Sequence, residues 1–170
     1  MSNQTILKVA RAAAATAAVL TISAPAFAQS ASSSLNVTAT VTPNCTVSTS
    51  AIAFGSVNTL SGSNVDGTGG VTVTCTNGTP WTASAGAGSG SGASFNGRKL
   101  SAGSNMLTYN LYTDSSRSSI WGDGTGSTAT LGNTGSGGTQ NFTIYGRIAA
   151  GQTSAPAGNY SDTVSVTVSY

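Results

Sequence analysis

Few side chains in this 170-residue chain can do chemistry. It has no histidine and no glutamate; its acids are Asp66, Asp114, Asp123 and Asp162, and after residue 28 its only lysine is Lys99. General acid–base catalysis needs a group that titrates near the working pH beside the bond it serves, and four scattered aspartates do not supply one. Ser101 with Lys99 is the nearest approach to an activated nucleophile, and two exposed polar residues are the plainer account. An enzyme is not expected. Asp114 and Asp123 flank Trp121 in a Gly/Ser-rich stretch, and carboxylates among carbonyls are calcium ligands. The spacing is not that of an EF-hand, however, and Asp-Gly is a common turn pair. Trp121 and Tyr112 offer the same stretch as an aromatic platform for a sugar, against the simpler reading that both pack in the core or against another subunit. Gly86–Gly92 and Gly122–Gly126 are phosphate loops in composition only, without the Gly-Lys-Ser/Thr ending or a following helix, so they read as turns and no cofactor is expected.

Cys45 and Cys75 are the only cysteines. Two thiolates without histidine cannot complete a zinc site. Both lie in strand-like surroundings behind a secretion signal, so one disulfide is expected, closing a loop that stabilises the fold by about 3 to 4 kcal/mol on a chain-entropy account.

The secretion signal is residues 1–28. Lys8 and Arg11 form a basic start, Ala12 to Ile22 an apolar run too short to span a bilayer, and Ala26-Phe27-Ala28 a small-x-small cleavage site. Cleavage there leaves 142 residues, enough for one sandwich domain. It also removes two cations, so that Arg98, Lys99, Arg117 and Arg147 balance the four aspartates. A neutral Ser/Thr/Gly-rich surface with no basic patch excludes nucleic-acid and polybasic membrane binding, and direct membrane insertion is not expected. Such a surface resists self-association poorly.

The elements that position these residues read as short strands. From Tyr160 to Tyr170, Tyr160, Asp162, Val164, Val166, Val168 and Tyr170 share one face, and Ser or Thr fills every position on the other. This is the period of a half-buried strand with a place inside a sheet, yet the polypeptide supplies no following partner. At the other end, Leu35, Val37, Ala39 and Val41 alternate with Asn36, Thr38 and Thr40 in an isolated strand that Pro43 terminates. Between them lie Cys45–Val47, Ile52–Phe54, a turn-rich stretch with Asp66-Gly67 and Gly69-Gly70, and a hairpin of Val71–Cys75 with Trp81–Ala85 through Asn77-Gly78. A flexible Gly86–Gly92 loop, a turn at Asn96-Gly97, and strands over Met106–Tyr112 and Gln140–Ala149 follow. With no helical period after the signal, the class is an all-β sandwich. An unpaired edge at one end and an unpaired strand at the other explain each other if the strand is donated to a neighbouring subunit. Folding back within one chain fits the pattern equally well.

Five segments together resemble the spore coat protein U domain, the pilin family of archaic chaperone-usher pili. They are Tyr109-Asn110-Leu111-Tyr112-Thr113-Asp114, Arg117, Ile120-Trp121-Gly122-Asp123-Gly124, Tyr145-Gly146-Arg147-Ile148, and Pro156-Ala157-Gly158-Asn159-Tyr160-Ser161-Asp162-Thr163-Val164. The resemblance implies an incomplete immunoglobulin-like sandwich, held by a periplasmic chaperone, delivered to an outer-membrane usher, and completed by the N-terminal extension of the next subunit. Residues 29–43 would then be the extension and 44–170 the pilin domain, with Cys45 and Cys75 at the disulfide position of such pilins. The donor residues would be Leu35, Val37, Ala39 and Val41, and the acceptor groove and chaperone contact Tyr160, Val164, Val166, Val168 and Tyr170. Burying each larger donor side chain would contribute about 1.5 to 3 kcal/mol before ordering costs, and Ala39 would meet a shallow part of the groove. A head-to-tail contact repeated without closure makes a fibre. The rival expectation is a self-complete secreted coat or carbohydrate-binding module.

Overall fold

The computed structural model describes residues 27–170. All of the expected leader but its last two residues lies outside them. The chain divides into two compact units, Met1–Ala39 and Thr40–Tyr170. In the first, residues 27–39 have no regular secondary structure, and Leu35 and Val37 are 87% and 85% exposed.

The second unit is all-β, with no helix among the described residues. In chain order its strands are β1 (Cys45–Ser50), β2 (Val65–Cys75), β3 (Pro80–Ala85), β4 (Arg98–Ala102), β5 (Asn105–Tyr112), β6 (Leu131–Thr134), β7 (Thr139–Ile148) and β8 (Val166–Ser169). One sheet has five strands in the order β1-β2-β7-β5-β4, the other three in the order β6-β3-β8, and all named pairs are antiparallel. The alternation that marked the strands also decides their faces. Val71, Val73 and Cys75 of β2, Leu107, Tyr109 and Leu111 of β5, and Ile144 and Ile148 of β7 are buried from one sheet; Trp81, Ala83 and Ala85 of β3 are buried from the other. Cys45 and Cys75 lie opposite one another in the β1–β2 register and are disulfide-bonded.

Four expectations are corrected. Asn77-Gly78 does not close a hairpin: β2 and β3 lie in different sheets, because β1 and β7 occupy both edges of β2. Residues 76–79 instead cross between the layers, with Gly78 N–H donating to Gly135 at 2.9 Å. Asp66-Gly67 and Gly69-Gly70 are not turns but part of β2, paired with Arg147, Gly146, Ile144 and Thr143. Glycine serves there because the Ile52–Phe54 segment lies across the sheet: a Cβ on Gly69 would come 2.5 Å from Ile52 Cγ1, and one on Gly146 2.8 Å from Phe54 Cζ. The Gly86–Gly92 run is packed over its first part, with Gly86 N–H on the Ser165 carbonyl at 2.9 Å, Gly88 pressed against the Asp162 carboxylate and Gly90 against Lys99, and is open at Gly92. Finally, the terminal strand is shorter than Tyr160–Tyr170 and lies at a sheet edge, with Tyr170 58% exposed beyond it. The short edge strands β4 and β6 carry no alternation long enough to announce them.

Candidate functional site

The last stretch of chain is bonded along a single edge. Ser161 exchanges two hydrogen bonds with Ser101 of β4 (2.8 and 3.1 Å), Ser165 accepts from Gly86, and Thr167 and Ser169 lie opposite Ser84 and Thr82 of β3. The segment therefore passes from the five-stranded sheet to the three-stranded one, always turning its odd-numbered backbone groups toward a partner. Strand geometry sends the N–H and C=O groups of Asp162, Val164, Val166 and Val168 to the opposite side. No strand of the described residues borders that side, and β1 likewise ends its own sheet.

A cleft opens between these two edges. One part, about 300 Å3, has Thr49–Ile52 on one wall and Val164 and Val166 on the other, over Tyr109, Leu111, Trp121 and Ile144. It runs into a larger hollow of about 750 Å3 between residues 52–60 and 155–162, over Leu100, Leu107 and Ile148. Ile52, Phe54, Leu100 and Asp162 line both. Val164, Val166 and Val168 are only half-buried, although Ala83 and Ala85 on the neighbouring strand are fully inside. An inward-facing apolar row left half-covered is the mark of a layer lacking material, since complete sandwiches pack to uniform density.

Polar contacts fix the shape of the cleft where the strand changes sheets. Tyr109 Oη donates to Asp162 Oδ2 at 2.7 Å, and Ser89 donates to Asp162 Oδ1 through both N (2.7 Å) and Oγ (2.8 Å). Burial, followed by the hydrogen bond to this carboxylate, pushes the Tyr109 phenol above its ordinary pKa. Arg98 is 0% exposed and donates to the carbonyls of Gly86 (3.1 and 2.8 Å) and Trp121 (2.6 Å), while its Nη1 has no partner. Burial lowers the guanidinium pKa, and nearby Tyr109 and Asp162 counter it. Tyr160 Oη donates back to the Pro156 carbonyl at 2.8 Å, a corner that sets the entry of the final strand. On the far wall, Phe54 meets Tyr109 edge-on with ring centroids 6.0 Å apart.

Of the groove residues expected from the sequence, Tyr160, Val164 and Val166 line the cleft; Val168 packs against the core outside either hollow, and Tyr170 is exposed. The opposite wall, Ile52 and Phe54, was not foreseen as part of a site. Its signal was there: two apolar residues spaced by two, and glycines in β2 and β7 that leave room for them. Leu35, Val37, Ala39 and Val41 are all exposed. The remaining candidates serve local structure. Asp114 accepts from Ser116 Oγ, from Ser118 N and Oγ, and from Ser119 N at 2.7 Å, which holds its carboxyl well below the usual range. Asp123 binds Thr125 N and Oγ at 2.9 and 2.6 Å. Trp121 is 2% exposed with Nε1 on the Ala83 carbonyl at 3.1 Å, so it is core and not a sugar platform. Lys99 donates to Thr108 and Ser101 to Ser161, which separates that pair. Among the described residues no three acidic, cysteine or histidine side chains gather as metal ligands.

The Spore Coat Protein U domain family model matches residues 31–167, and the chain belongs to that family. Among solved structures it is similar, at 25% identity and a TM-score of 0.55, to a chain of the CsuC-CsuE chaperone-tip adhesion subunit pre-assembly complex from the archaic chaperone-usher Csu pili of Acinetobacter baumannii. That likeness covers 77% of this chain and 40% of the other, so the protein spans less than half the length of its structural relative. No curated protein matches it. The fold is thus an immunoglobulin-like sandwich of the kind found in chaperone-usher pilus subunits.

Proposed function

We propose that this protein is a structural subunit of an archaic chaperone-usher pilus, polymerising by donor-strand exchange into a surface fibre for adhesion and biofilm formation. The observation that carries the reading is the cleft floored by apolar core side chains and bordered by two open strand edges. Exposed backbone donors and acceptors beside half-buried valines take up an extended strand with alternate apolar residues, the main chain giving direction and the pockets giving selectivity. The exposed Leu35–Val41 segment has that pattern, and the family match beginning at residue 31 takes it in. In this reading residues 1–28 direct export and residues 29–43 form the donor extension of the 44–170 domain. A periplasmic chaperone covers the cleft until the outer-membrane usher exchanges it for the extension of an identical or related subunit. The protein works by assembly and not by catalysis, and it ends on the bacterial surface.

The test is a gel of the chain from Gln29 onward, co-expressed with its chaperone and usher, run unheated and heated beside a version lacking residues 29–43. A ladder that collapses on boiling and is lost with the deletion is expected. A soluble monomer formed without chaperone would instead establish a closed sandwich and end the pilus reading.

A further inference from the structure

The alternating row that the final-strand wall turns inward, Tyr160, Asp162, Val164 and Val166, is apolar but for one member. Asp162 stands between Tyr160 and Val164 and lines both hollows where they meet. Its carboxylate cannot swing aside, because Tyr109 Oη holds one oxygen and Ser89 N and Oγ hold the other. Gly88, at φ +94°, lies so close that a Cβ there would overlap the carboxylate, so the backbone hems it in as well. The Leu35–Val41 segment is the counterpart: every member of its apolar row is branched except Ala39.

We infer that in the assembled fibre Ala39 of one subunit lies opposite Asp162 of the next. The pairing is antiparallel, which sets Val37 against Val164, Leu35 against Val166 and Val41 against Tyr160; the inference rests on the donor-strand reading above. A branched side chain over a fixed carboxylate strips away its remaining water and returns no hydrogen bond, whereas a methyl group covers it least. Slipping the strand by two residues keeps the same face inward, so alternation alone does not forbid it. Such a slip would bring Val37 or Val41 over the carboxylate and leave Ala39 underfilling an apolar hollow, two penalties for one displacement. The direction follows from where the wall ends. Past Val164 it continues through β8 to Ser169, while before Tyr160 it becomes the Pro156-Ala157-Gly158 turn. A parallel strand anchored at Asp162 would carry Leu35 to Gly158, which has no side chain to meet it. The antiparallel strand keeps all four donor residues on the wall.

The exposed odd-numbered positions of the wall test this while leaving its inward-facing row unchanged. In this register Thr38 lies opposite Thr163, whose backbone groups turn toward the β3/β4 side, so the two form a non-hydrogen-bonded pair. Cα atoms in such pairs are about 4.5 Å apart, within disulfide reach. Full-length chains carrying Thr38→Cys with Thr163→Cys are assembled with chaperone and usher, oxidised, boiled, and run with and without reductant. A ladder that survives boiling and collapses only on reduction is expected. Thr38→Cys with Ser161→Cys, or with Ser165→Cys, marks the two slipped registers, and a stronger ladder from either, or none from all three, overturns the register. Each outcome is read against unsubstituted chains, whose heat-labile ladder reports the donor-strand reading separately. As a second arm, Ala39→Leu is expected to reduce the unheated ladder at least tenfold while Val41→Leu leaves it within twofold; equal ladders would refute the match of Ala39 to Asp162.

Discussion

Replacing Tyr109 with phenylalanine removes a single oxygen from the hinge of the cleft and leaves the packed ring in place. The lost contact is a 2.7 Å hydrogen bond from a phenol that is only 6% exposed to an ionised carboxylate. Hydrogen bonds to charged groups contribute about 1.5 to 3 kcal/mol, and Asp162 keeps its two bonds from Ser89, so about 2 kcal/mol is the expected cost at neutral pH. In urea this shifts the midpoint by about 1 M for a slope near 2 kcal/mol per M. The pH dependence separates this from a mere packing defect. The folded phenol titrates above its unfolded value of 10.0, because burial and Asp162 both disfavour the phenolate. A raised folded pKa means that the folded state holds a proton which the unfolded chain gives up, so this stabilisation is complete below about pH 10 and falls above it. One proton costs about 1.4 kcal/mol for each full pH unit, so roughly 1.4 kcal/mol of the advantage over Tyr109→Phe should be gone by pH 11. Urea unfolding of both proteins at pH 8, 9, 10 and 11 measures it. Stability curves that run parallel across that range would refute the account of Tyr109 as a buried donor to Asp162.

Reduction of the Cys45–Cys75 disulfide opens a crosslink spanning 30 residues and should lower stability by about 3.5 kcal/mol, read as a drop in the urea midpoint on adding reductant, with no change expected in a Cys45→Ser/Cys75→Ser double variant. Gly88→Ala meets both the φ of +94° and the Asp162 carboxylate, so it should cost several times the roughly 1 kcal/mol of an ordinary glycine replacement, whereas Gly92→Ala, at φ +69° with nothing within 4 Å of a Cβ, should cost only the backbone strain; thermal melts of the two compare them.

The inward faces of β2, β3, β5 and β7 could be read directly, because alternation of Val, Leu, Ile and Trp with Thr and Asn specifies which side of a strand meets the core wherever it pairs. For the same reason the final strand showed its apolar row, and the two cysteines their bond. Pairing itself was not legible. Asn77-Gly78 has the composition of a hairpin turn, yet it crosses between sheets, because β1 and β7 had already taken both edges of β2. The glycines of β2 looked like turns since nothing near them in sequence says that Ile52 and Phe54 will lie across them. Trp121 stands among polar neighbours, where core packing was a simpler reading than a sugar platform, and the turns around it do deliver it into the core, its N–H on Ala83. Asp162 read as one acid in an apolar row; Tyr109, Ser89 and Gly88, distant in the chain, make it the pin between the two hollows. Local sequence thus determined the strands and their faces, since side-chain period and turn chemistry act over a few residues. Tertiary structure alone decided which edges stay open and what lines the cleft, since those depend on which partners remain unclaimed after the rest of the sandwich has closed.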